Sequence, residues 1–164
     1  MDGIELVRSH AEEAASSGLY PSDPIFGWLD EEITSPTVVL AKDIPSASIP
    51  AFSSEANVVS RRGSLVLQVL PLLEERAPGR VEVPQGSLDV REFFRGTTLV
   101  RGVEILRRNE VDYVVVEADS RLAQTLERVP GFERTEEPSE RYDVYGVDTR
   151  TLGSLVENRE TSQG

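Results

Sequence analysis

The chain has no cysteine, which excludes disulfides, thiolate zinc sites and cysteine nucleophiles. It has a single histidine, His10, so multi-histidine metal sites are excluded and a Ser-His-Asp triad would have to use that one residue. His10 lies in the polar stretch "RSHAEEAASSG", which reads as an exposed helix or tether rather than a catalytic setting. Long apolar runs are also missing. The longest, around Leu65–Leu70 and Tyr113–Val116, are core-sized and fall short of the roughly 20 residues a membrane helix needs. The N-terminus lacks the basic-then-apolar order of a signal peptide, so the sequence predicts a soluble chain with no membrane span of its own. Cations are scarce. Net charge is −12, with 29 acidic against 17 basic residues, and this argues against a nucleic-acid surface, which must neutralise phosphates with clustered cations. Lys42 is the only lysine. The arginine bias suits bidentate pairing, and a GC-rich genome would produce it equally. Glycine-rich phosphate loops, the Walker motif and G-x-S-x-G are all absent.

What remains is ordinary for one globular domain: 164 residues, 38 % hydrophobic and 28 % charged, without repeats or low-complexity blocks. Residues 1–23 read as an N-terminal helix or tether, with a thin apolar face over residues 2–18. Residues 24–149 read as an α/β domain. In "YPSDPIFGWLDEEI", Asp23 can cap a helix that Pro24 opens and that runs to about Glu32. A strand is expected over Thr37–Ala41, a short helix or turn between Pro45 and Pro50, and a second short strand at "NVVS". "RRGSLVLQVLPLLEERAPG" has a helical stripe that Pro71 should kink, with a strand over residues 65–70 left open. "SLDVREFFRG" predicts a short helix. Residues 98–109 predict a longer one, in which Glu104 and Arg108 stand at the favourable i, i+4 spacing.

"VDYVVVEADSRLAQTL" then reads as a strand covered on both faces, an acidic turn, and a helix stopped by Pro130-Gly131. "GFERTEEPSERYDVYGVD" reads as a hairpin around "EEPSE", and residues 150–164 as a helical turn with a disordered tail. This order predicts a three-layer, Rossmann-like α/β domain, its sheet mostly parallel with an antiparallel C-terminal hairpin at the edge.

Two places could hold a ligand. In doubly wound sheets, ligands sit beyond the carboxyl ends of the strands, where Asp43, Glu117 and Asp119 fall. "VVVEADSRL" shares a strand-end carboxylate with methyltransferases, but no glycine-rich loop accompanies it. The simpler role for Asp119 or Ser120 is as a helix cap. Arg61-Arg62, before Gly63-Ser64 at a helix start, could hold an anion, and could as well be surface ion-pair partners. The acidic clusters Asp30–Glu32, Glu74-Glu75 and Glu136-Glu137 sit in polar runs without the apolar surroundings a general acid needs. The residues name no catalytic group, metal site or cofactor.

Several segments together resemble a family. Trp28-Leu29-Asp30-Glu31, Val38-Val39-Leu40-Ala41, Ile49-Pro50-Ala51-Phe52-Ser53 and Asn57-Val58-Val59, followed by "DVREFFRG…VEILRRNEVDYVVVE" and the closing hairpin, look like the region after the last membrane helix of polytopic, lipid-linked-sugar glycosyltransferases of the GT-C type. The resemblance covers about residues 24–148. It implies a non-catalytic accessory domain on the extracytoplasmic face that packs on or gates the membrane part and contacts the acceptor. The family's catalytic acids lie in membrane loops that this chain lacks, so none carries over. A freestanding small-molecule or nucleotide-binding module, and a protein-interaction domain, are the alternatives.

Overall fold

A computed structural model describes residues 23–60, 71–72, 75–76, 79, 82–135 and 139–161. The expectations for residues 2–18, His10, Arg61-Arg62, Gly63-Ser64, the run 65–70 and Glu136-Glu137 lie outside them. The described elements are α1 (Pro24–Glu32), β1 (Thr37–Leu40), α2 (Asp43–Phe52), β2 (Ala56–Val58), α3 (Gln85–Arg95), α4 (Leu99–Arg108), β3 (Tyr113–Glu117), α5 (Arg121–Leu126), β4 (Phe132–Arg134), β5 (Tyr142–Val147) and α6 (Thr149–Thr161).

Local chemistry accounts for the helix starts. The Asp23 carboxylate accepts the Ile25 amide at 3.0 Å and Pro24 takes the first position, so α1 begins where the sequence predicts. The Thr98 hydroxyl accepts the Arg101 amide at the start of α4. Asp148 accepts the amides of Arg150 and Thr151 and the Thr151 hydroxyl, which starts α6. That helix is 13 residues long, not the single turn expected, and it buries Leu152 completely. The sequence conceals it because its apolar positions are few.

The five strands form one sheet in the order β2-β1-β3-β5-β4. β1 pairs in parallel with β2 and β3, whereas β5 is antiparallel to both β3 and β4. The sheet is therefore evenly mixed rather than mostly parallel. The predicted hairpin forms, but β5 sits inside the sheet and only β4 is at the edge. The Asp143 carboxylate, nearly buried on β5, receives Arg134 of β4 at 2.7 Å and ties the two strands.

β3 has the predicted burial on both sides. Val114 and Val116 pack in a cluster with α3, α4, α5 and α6, and Val115 in a second cluster with α1 and α2. Burying each such valine fully contributes about 1.5–3 kcal/mol, so β3 anchors both cores. One expected ion pair is not made. Arg108 turns away from Glu104, which pairs with Arg101 at 2.9 Å, and reaches the buried Asp89 on α3 at 2.7 Å. A buried carboxylate stripped of water offers a stronger partner than a solvated one.

Candidate functional site

The chain leaves β1 through α2 to β2 on one side, and later places β3 on the other side of β1. The carboxyl ends of β1 and β3 thus flank the point where the strand order reverses, the place at which α/β sheets open a ligand crevice. A cleft of about 300 Å³ lies there. Its walls are apolar where Pro45, Phe94 and Leu122 contribute, and polar where Lys42, Glu117, Ser120 and Tyr142 do.

Each polar group has a definite structural reason for being there. Lys42 follows β1 and is the residue before α2. Glu117 ends β3 and is exposed. Tyr142 opens β5, and the antiparallel register sets it directly opposite Glu117. Burial raises the pKa of its phenol, against the lowering effect of the neighbouring Arg141 cation, so at neutral pH Tyr142 is a hydrogen-bonding group rather than a base. The Ser120 hydroxyl accepts the Ala123 amide at 3.1 Å and caps α5. Of the two candidate caps, Ser120 is the one used. It is held in that role, and the cleft has polar groups able to hold a polar small molecule.

The sequence-predicted site residues are not all brought together. Glu117 lines the cleft. Asp43 opens α2, and its side chain lies outside the described set. Asp119 is exposed and absent from the cleft lining. It instead takes the third position of the turn Glu117–Ser120, with φ of 58° in the left-handed region. An L-residue is strained there and glycine is not. Asp119→Gly is expected to raise stability by roughly 0.5–1 kcal/mol, seen as a higher melting temperature. A lower one would mean that the carboxylate makes a contact worth more than the strain. Phe94 and Tyr142, which sequence reading did not single out, reach the cleft from α3 and from β5. No local signal marks either one, because both depend on pairing across the fold.

A second depression of about 350 Å³ runs between α3, α4 and α5. Phe94 and Leu122 line it as well as the cleft, so these two side chains form the partition between them. Away from both, the Asp89 carboxylate is wholly buried and fully used. It accepts Gln85 and Asn109 at 2.8 Å each and both Nε and Nη2 of Arg108. It is a fastener between α3 and the end of α4. Among the described residues no three acidic or histidine side chains converge as a metal site, and no helix is long and apolar enough to cross a membrane.

Fold and cleft together define a mixed α/β domain with a crevice at its strand-order reversal. Compared with known proteins, the chain matches no family model, and no curated protein or solved structure gives a significant match.

Proposed function

We propose that the chain is a non-catalytic accessory domain of a polytopic, lipid-linked-sugar glycosyltransferase of the GT-C type, placed on the extracytoplasmic face, where it packs on or gates the membrane part and contacts the acceptor. One observation supports it: the first four segments that resemble that family are neighbours in space. They fall on or next to α1, β1, α2 and β2, and Leu29, Val39, Ala41 and Ile49 pack in one cluster that Val58 borders. Phe26 of α1 stacks on Phe52 of the "IPAFS" segment with ring centres 4.9 Å apart. The segments are thus one packed unit that can be inherited whole. On this reading the fold is a three-layer, Rossmann-like one, with α1 and α2 forming one outer layer and α3 to α6 the other.

The test is the DNA upstream of the codon for residue 2, together with a transfer assay on the isolated chain. Many apolar helices, in frame or in an adjacent gene, and no transfer from a polyprenyl-phosphate sugar are expected. Transfer by the isolated chain, or an upstream region without such helices, would overturn the proposal.

The switch-point cleft favours a second reading, a small-molecule or nucleotide-binding module. A ligand held there stabilises the folded state by mass action. A panel of nucleotides, sugar nucleotides and methyl-donor cofactors should then include one that raises the melting temperature saturably. A flat panel would sink this reading.

A further inference from the structure

The depression between α3, α4 and α5 differs from the rest of the surface in charge. The chain carries a net −12, yet among the described residues no acidic one lines this groove, while two arginines, Arg95 and Arg121, do. Both are exposed, and neither makes an ion pair among the described residues, whereas Arg101, Arg108 and Arg134 are all paired. Besides Thr97, Thr98 and Thr125, the remaining wall is apolar, built mainly by Phe93, Leu99, Val103, Leu126, Val129 and Phe132. Its volume of about 350 Å³ lies at the small end of the range that ligand pockets occupy, about 300–1,000 Å³. Such a wall suits a hydrocarbon chain, and two exposed guanidinium groups suit a carboxylate or phosphate.

We propose that this groove binds a single-chain amphiphile with an anionic head group, its chain lying on Phe93, Leu99 and Phe132 and its head meeting Arg95 and Arg121. The occupant is a free, monomeric amphiphile rather than a bilayer, because the wall is a recess of small-molecule size and not a projecting apolar face. The site stands apart from the switch-point cleft, which Phe94 and Leu122 wall off, and does not depend on the chain serving a glycosyltransferase.

The experiment is calorimetric titration of the full chain with decanoate and decyl phosphate, both kept below micelle formation, beside the uncharged decanol. Saturable one-to-one binding of the anions is expected. Replacing both cations (Arg95→Gln with Arg121→Gln) should weaken the anions about threefold to fivefold, as loss of exposed charge contacts does, and leave decanol within about twofold. Gly102→Met tests the wall. A β-carbon at Gly102 would lie 3.5 Å from Thr97 and 3.8 Å from Phe93, both lining residues, so the longer side chain should obstruct the groove while favouring the helix. Thermal melts establish that each variant is folded. Should Gly102→Met prove unfolded, Thr125→Trp at the exposed rim takes its place. Absence of saturable binding, equal loss of anion and alcohol in the arginine variant, or unchanged binding in the folded wall variant would each overturn the proposal. So would binding only to anionic vesicles, which would identify a membrane-facing surface instead.

Discussion

Asp89→Ala is expected to lower the unfolding free energy by about 1.5–3 kcal/mol, the scale for losing hydrogen bonds to a charged group. The carboxylate is 0 % exposed, and four hydrogen bonds converge on it from Gln85, Asn109 and two nitrogens of Arg108. Removing it leaves Asn109 only the Ile105 carbonyl, returns the exposed Gln85 to water, and opens the seam between α3 and α4. Arg108→Ala should cost more, about 3–5 kcal/mol, because it leaves the buried Asp89 carboxylate without its cation, held only by the neutral donors Gln85 and Asn109. Denaturant titration of the two variants measures the asymmetry, and equal losses would contradict it.

The same group sets an acid limb. Burial by itself raises the Asp89 pKa, but hydrogen bonds from Asn109, Gln85 and Arg108, with the Arg108 charge, outweigh it and hold the carboxyl below its ordinary value. A depressed folded pKa means that the stabilisation is present above the unfolded value, near pH 4, and is lost as the pH falls through the folded value. Asp89→Asn should therefore be less stable than the native chain at neutral pH and lose less on acidification below about pH 4.

The second large effect lies at the alkaline end. Tyr145 on β5 is 0 % exposed, and its hydroxyl donates to the Ala123 carbonyl at 3.3 Å. Burial first, then the negative charges of Asp143 and Glu127, push its pKa up to about 12. The unfolded phenol titrates near 10, so the folded state holds the proton more tightly. That contribution is whole below about pH 10 and is lost as the pH rises towards 12, amounting to about 2–3 kcal/mol. Tyr142, also raised by burial, acts in the same direction. Tyr145→Phe should flatten the alkaline limb of the stability profile while costing only about 0.5–1.5 kcal/mol at neutral pH for the lost hydrogen bond. An unchanged alkaline limb would show that another group governs it.

Several elements were legible in the sequence because their causes are local. Asp23-Pro24, Thr98 and Ser120 each satisfy amides within three residues, so a cap can be read from one turn of chain. Gly131, with φ of 102° and Leu152 Cγ only 2.7 Å from where a β-carbon would stand, ends the α5 segment as Pro130-Gly131 suggested. The unbroken valines of β3 announced burial on both faces. α6 was underestimated because its single large buried contact, Leu152, sits in a polar helix.

By itself, the sequence determined that this chain has no thiol and no histidine cluster, since it holds no cysteine and one histidine. It also determined where most described helices begin, since those choices depend on neighbours along the chain. The tertiary structure alone decided that β5 enters the sheet antiparallel beside β3, which puts Tyr142 opposite Glu117 at the cleft. It alone decided that Arg108 joins Asp89, 19 residues away, in place of Glu104, and that Arg95 and Arg121 border one apolar groove. These pairings are set by burial and packing between segments remote in sequence, where each partner's value depends on the water the other excludes, and no local pattern carries that information.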